Sequence, residues 1–72
     1  MKVSNIQSLR EALADFNRAE AEYDNYIKTT WATDPDADEM TTQLMGLIIT
    51  YGEILAETAE RVIADEMGVQ PG

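Results

Sequence analysis

The chain has 72 residues, contains neither cysteine nor histidine, and carries a formal net charge of −9. This composition excludes disulfides, thiolate chemistry and histidine-based catalysis, and the charge disfavours direct binding to nucleic acid or to an anionic membrane. The longest uncharged run, residues 40–52, is too short to span a bilayer. We therefore expect a single soluble, cytoplasmic domain.

The first predicted element is a helix from about residue 5 to residue 31, with Ser4 as a suitable N-cap. Spacings of three and four predict a coiled-coil seam that faces a second helix. The seam positions are Ile6, Leu9, Leu13, Phe16, Glu20, Tyr23, Ile27 and Thr30, and Ala12, Ala19 and Tyr26 widen one edge. Two interpretations of Glu20 stay open: it reaches outward along the edge, or it is a buried carboxylate that fixes register or belongs to a site.

A turn at residues 32–35 is predicted to separate two helices. Pro35 disfavours the helical conformation at Asp34. Asp36, followed three residues later by Glu39, predicts a capping box at the start of the second helix. These acids therefore have a local explanation, although they also extend a negative surface.

The second helix is predicted from about residue 36 to residue 67, with Gly68 as its stop. It carries two apolar stripes, whereas a surface helix usually carries one that is about 100° wide. The first stripe consists of Met40, Leu44, Leu47, Ile48, Tyr51, Leu55, Thr58 and Val62. The second stripe consists of Met45, Ile49, Gly52, Ala56, Ala59 and Ile63. Gly46 and Gly52 each cost about 1 kcal/mol inside a helix, which suggests that a neighbour approaches them closely.

These elements predict an all-α fold, an antiparallel hairpin of two long helices. Folding at the turn pairs positions whose numbers add up to about 67. The first stripe then faces helix 1, and the second stripe is left for another subunit. Because a core of this size supplies only about 3–5 kcal/mol, we expect a homodimer, most simply a four-helix bundle.

Three glutamates, Glu53, Glu57 and Glu60, align on one face of the second helix and are called the acidic ridge below. Glu57 and Glu60 resemble the first half of the metal-binding Glu-x-x-Glu pattern of helical nucleotide pyrophosphohydrolases. Asp65 and Glu66 come too soon to supply its second half. A solvated face, a ridge for protein contact and a metal site are the three interpretations.

The leading functional prediction is a non-enzymatic module that binds a basic protein surface and occludes its nucleic-acid-binding groove. Small acidic proteins of phages and mobile elements, including anti-CRISPR and anti-restriction DNA mimics, work in this way. The comparison with them rests on protein class and not on a shared motif. The alternatives are a structural or assembly protein and a metal-dependent helical enzyme; the leading prediction includes no cofactor. Trp31 either covers the turn or anchors a partner. The predicted partner-binding residues are Glu53, Glu57, Glu60, Asp34, Asp36, Asp38 and Trp31.

Overall fold

The computed structural model describes residues 2–68, which form two long helices joined by a short connection. Helix α1 spans Val3–Thr29 and helix α2 spans Ala37–Met67, with a single 3₁₀ turn at Trp31–Thr33 between them. The helices pack against each other, and residues 2–68 contain no strand. The predicted all-α hairpin is therefore confirmed.

Helix α1 begins earlier than the sequence suggested. The backbone N–H groups of Asn5 and Ile6 both donate to the carbonyl oxygen of Lys2, at 3.1 Å. Lys2 is thus the N-cap residue, and no side chain caps this end. The prediction of Ser4 as N-cap is wrong, because Ser4 already lies inside the first turn.

The two ends of α2 differ in how well the sequence predicted them. Asp36 is the N-cap residue, but its side chain makes no capping hydrogen bond. A capping box would bring the Glu39 side chain to the Asp36 N–H, yet that N–H donates to Asp34 Oδ1 at 2.9 Å. The predicted capping box is therefore absent. At the other end, Gly68 has a φ of 72° and its N–H donates to the carbonyls of Ala64 and Asp65, as predicted.

The pairing of the two helices follows the predicted register. Near the open end of the hairpin, Lys2 Nζ lies 3.0 Å from Asp65 Oδ2. Near the middle, the ring of Phe16 packs against Gly52. In both pairs the residue numbers add up to 67 or 68, so the fold closes about the turn as expected.

Helix α1 is rotated about its own axis relative to the predicted seam. Ala12 and Ala19 are buried, whereas Leu13, a predicted seam residue, is 48% exposed. Small side chains on the contact line let the two helices approach closely, and the larger seam residues are displaced to one side of that line. Across from them, Thr58 and Val62 are the buried residues of α2.

The hairpin forms a single layer of helices. Its principal extents are 52 × 24 × 11 Å, and the smallest matches the diameter of one helix with its side chains, about 10–12 Å. The radius of gyration is 16.1 Å, against about 11 Å expected for a compact domain of this length. Within residues 2–68 each long helix has one long helical neighbour, so both faces of the layer are open there.

Candidate interaction surfaces

The acidic ridge lies on the outer side of α2, away from α1. Glu53, Glu57 and Glu60 are all exposed. Within residues 2–68 no hydrogen bond or ion pair engages their carboxylates. Glu39 precedes Glu57 by 18 residues, which is five helical turns, so it continues the same line. Within the ridge, carboxylates one turn apart are spaced by about 5–6 Å, and their charges add to one negative field. The uncharged residues 40–52 separate this field from Glu39.

The turn uses one predicted partner-binding acid for its own structure. The Tyr26 hydroxyl donates to Asp34 Oδ2 at 2.6 Å, in addition to the Asp36 N–H that Asp34 already accepts. These two bonds hold the pKa of Asp34 below its ordinary value. The pKa of Tyr26 is raised to about 12. Partial burial is the largest cause, and the hydrogen bond to Asp34 is the next largest. Asp34 therefore fastens the turn to α1.

The other predicted residues near the turn are open to solvent. Asp36 and Asp38 are exposed, and both lie at the positive N-terminal end of α2, where acids are favourable. Trp31 begins the 3₁₀ turn and is 47% exposed, so half of its large aromatic surface is available at this end of the hairpin.

The two faces of the layer differ in character, and one is largely apolar. The contact between Phe16 and Gly52 places the second stripe of α2 on the same face as the displaced seam of α1, since Leu13 and Glu20 lie one turn either side of Phe16. Large exposed side chains from both helices occupy this surface, called the apolar face below. They are Ile6, Leu13, Met45, Ile49 and Ile63.

The two glycines of α2 have different surroundings. A Cβ built on Gly52 would lie 3.3 Å from Phe16 Cε2, so the close approach expected there is made by α1 of the same chain. A Cβ on Gly46 would meet nothing within 4 Å. The neighbour expected at Gly46 is therefore not supplied within the hairpin. Gly52 and Ala59 are half-buried, while Ala56 is exposed.

The opposite face carries mixed charge. One shallow groove is lined by Asp15, Arg18 and Glu22 of α1 with Leu47 and Tyr51 of α2. A second groove brings together the following residues: Ser8, Glu11, Ala12, Asp15, Ile54, Thr58 and Arg61. Leu47, predicted in the first stripe, thus lies at the rim of this charged face. Three acids and two bases lie on this face together with Leu47, Tyr51 and Ile54.

The sequence pattern did not indicate that α1 contributes exposed side chains to the apolar face. Ala12 and Ala19 lie seven positions apart and form the buried line of α1. Ala14 and Ala21 have the same spacing but are exposed, so the spacing alone did not identify this line. With this line at the centre of the contact, Leu13 lies beside it rather than within it.

Two further structural findings concern metal binding and membrane crossing. Among residues 2–68, no three acidic side chains lie close enough together to hold a metal ion. Within the same range, neither helix combines the length and the hydropathy needed to cross a membrane.

Comparison of the chain with family models, curated proteins and solved structures gave no match.

Proposed function

We propose that this chain is a small, non-enzymatic protein-binding module whose acidic ridge engages a basic protein surface. The observation that carries the proposal is the exposure of three aligned carboxylates with no partner within residues 2–68. Carboxylates of this kind accept charge-assisted hydrogen bonds from arginine and lysine, often two from one guanidinium. A ridge left unpaired by its own fold is ready to make such bonds with another protein.

The distribution of charge supports a basic partner. Residues 34–72 hold nine acids and one base, whereas residues 1–33 hold five acids and four bases. Most of the net charge of −9 therefore resides in the turn and α2. A field of one sign along an elongated surface raises the rate at which an oppositely charged surface associates.

The ridge resembles a phosphate row in the sign of its charge. From Glu53 to Glu60 the axial distance is about 10 Å at 1.5 Å per residue, whereas phosphates on one DNA strand follow at about 3.4 Å. Glu39 lies about 21 Å before Glu53, across the uncharged residues 40–52, so the resemblance is one of sign, without matching register or continuous extent. A hairpin bound in a nucleic-acid-binding groove would occlude it. Acidic inhibitors of phages and mobile elements act in this way, and the comparison with them is one of protein class.

A salt-gradient capture experiment tests this function. The chain is immobilised, proteins are captured from a cell lysate, and binding is compared with that of the triple variant Glu53→Gln, Glu57→Gln and Glu60→Gln. We expect the triple variant to lose captured partner and to show a flatter dependence on salt. Its melting temperature should be unchanged or slightly higher, since like charges one turn apart repel.

A matched control separates the ridge from net charge. The triple variant Glu11→Gln, Glu22→Gln and Asp24→Asn changes the net charge by the same amount on α1, away from the ridge. It should retain the partner. Full-strength binding by the ridge variant, or equal loss in both variants, would contradict a specific role for the ridge and direct attention to Trp31 and the turn.

The second candidate is a structural protein that builds a larger assembly, and the exposed apolar face favours it. In that case the acidic charge only keeps the assembly in solution. Salt separates the two functions, because association through apolar surface does not weaken as salt rises, whereas binding through charge does. Light scattering across a salt series distinguishes them.

A further inference from the structure

We propose that the apolar face is covered by a second copy of this chain, with both helices of each copy in the contact. This goes beyond the function of the acidic ridge and does not depend on it. The sequence alone suggested a contact through the second stripe of α2. The rotation of α1 adds Leu13 and Ile6 to the same surface, so that both helices contribute to the contact.

The exposed area of the chain is sufficient for a stable contact. The hairpin exposes 5445 Å², whereas a monomer of 8.0 kDa is expected to expose about 4,450 Å². The excess is about 1,000 Å², and each partner in a standard-size interface buries about 800 Å². Covering one face of the layer would bring the exposed area per chain to that of an ordinary globular protein.

The dimensions of the layer favour a copy of itself as the occupant. Two layers, each 11 Å thick and 24 Å wide, stack to a body about 22 Å by 24 Å in section, which is the form of a four-helix bundle. A copy also matches the full length of the face, and a two-fold contact uses the same surface on both chains. The apolar residues of the two copies would then meet one another.

Charge selects which face is covered. The acidic ridge lies on the outer edge of α2, so two copies stacked by their apolar faces keep these carboxylates out of the contact. Two acids border the apolar side of α1: Glu20, one turn from Phe16, and Asp24, five turns after Ile6 on the same line. Both are exposed, and Asp24 pairs with Lys28 at 2.8 Å. The opposite face carries Glu11, Asp15, Arg18 and other charges, whose desolvation would oppose stacking there.

Sedimentation equilibrium on the full chain tests the proposal with matched pairs. Wild type should sediment at twice the chain mass of 8.0 kDa. Ile49→Lys, at a position 60% exposed, and Leu13→Lys should each give the single-chain mass, because a charge enters the contact. Their controls on the opposite face are Leu47→Lys and Ile54→Lys, at positions 42% and 43% exposed, and these should remain dimeric.

Each contrary result overturns a defined part of the proposal. A monomeric wild type would show that no copy covers the face and would leave it to a different partner, such as an amphipathic helix. Dimers that persist in Leu13→Lys would remove α1 from the contact. Loss of the dimer in the Leu47 or Ile54 variant would assign the contact to the opposite face.

Alkylation gives a second measurement that does not require a charge in the contact. The chain has no cysteine, so Ala56→Cys on the apolar face and Gly46→Cys in open space on α2 each introduce one thiol. The Ala56→Cys thiol should react with iodoacetamide an order of magnitude more slowly at high protein concentration than after dilution. The Gly46→Cys thiol should react equally fast at both. Equal rates for both variants at all concentrations would overturn the proposal.

Discussion

At the scale of single residues, the hairpin is fastened at its two ends by carboxylates. Asp34 holds the turn through Tyr26, and Asp65 holds the open end. The side-chain amide of Asn5 donates to Asp65 Oδ2 at 2.8 Å, and Lys2 Nζ donates to Oδ1 at 3.1 Å. Both donors lower the pKa of Asp65, and the hydrogen bond from Asn5 has the larger effect. These hydrogen bonds join α1 to the turn and to the end of α2, in agreement with the register that the apolar pattern predicts.

The Asp65 contacts predict a specific loss of stability in acid. A lowered pKa in the folded state means that the unfolded state binds more protons, so this contribution is complete above the ordinary value of 3.8 and disappears as pH falls through the folded pKa. Asp65→Asn should melt a few degrees below wild type at pH 7. The difference should shrink below about pH 4.

Thermal melts by circular dichroism at pH 7 and in acid provide the measurement. Glu22→Gln, which removes an exposed carboxylate without a hydrogen bond in residues 2–68, is the control and should follow wild type at both pH values. An Asp65→Asn deficit that stays constant with pH would show that the ionised carboxylate does not stabilise the open end.

At the scale of elements, α2 has four different sides. One side packs on α1 and the outer side carries the acidic ridge. Of the two sides between them, one belongs to the apolar face and the other, with Leu47, Ile54 and Arg61, to the charged face. The two interior glycines of α2 lie in different surroundings, with Phe16 close to Gly52 and open space beside Gly46. A glycine beside a large ring leaves room for that ring, whereas a glycine in open space only weakens the helix.

The glycine environments predict different changes in stability for the same Gly→Ala substitution. Gly46→Ala should stabilise the chain by about 0.5–1 kcal/mol, because alanine favours the helix and no atom opposes its methyl group. That corresponds to a melting temperature higher by about 2–8 °C. Gly52→Ala should gain less or lose stability, because Phe16 must move to admit the Cβ at 3.3 Å. Thermal melts of the pair test this, and an equal gain in both would contradict the close packing at Gly52.

At the scale of the whole molecule, a layer one helix thick cannot enclose a core. The buried apolar residues within residues 2–68 are Ala12, Ala19 and Val62, all of them small or medium in size. A domain of this length usually gains only about 3–5 kcal/mol from its core. Stacking a second layer is the simplest way to bury the large side chains that remain outside.

Coupling between folding and association predicts that stability depends on concentration. If the folded chain pairs and the unfolded chain does not, the melting temperature of wild type should rise as protein concentration increases. Ile49→Lys, which disrupts the proposed contact, should melt at a lower temperature that is independent of concentration. Calorimetry over a hundredfold dilution series measures both. A wild-type melting temperature that stays constant would indicate that folding is completed within one chain.

The sequence by itself determined the two helices, the break at Pro35 and the stop at Gly68, because helical period and turn chemistry are local properties of the chain. It also determined that the acids of the ridge share one face. The tertiary structure decided what surrounds each stripe. Several neighbouring stripes of α1 are similarly apolar, and the close fit of Ala12 and Ala19 selects the contact line and displaces Leu13. The same packing gave Asp34 its structural role, since its bond to Tyr26 exists only once the chain has turned back on α1.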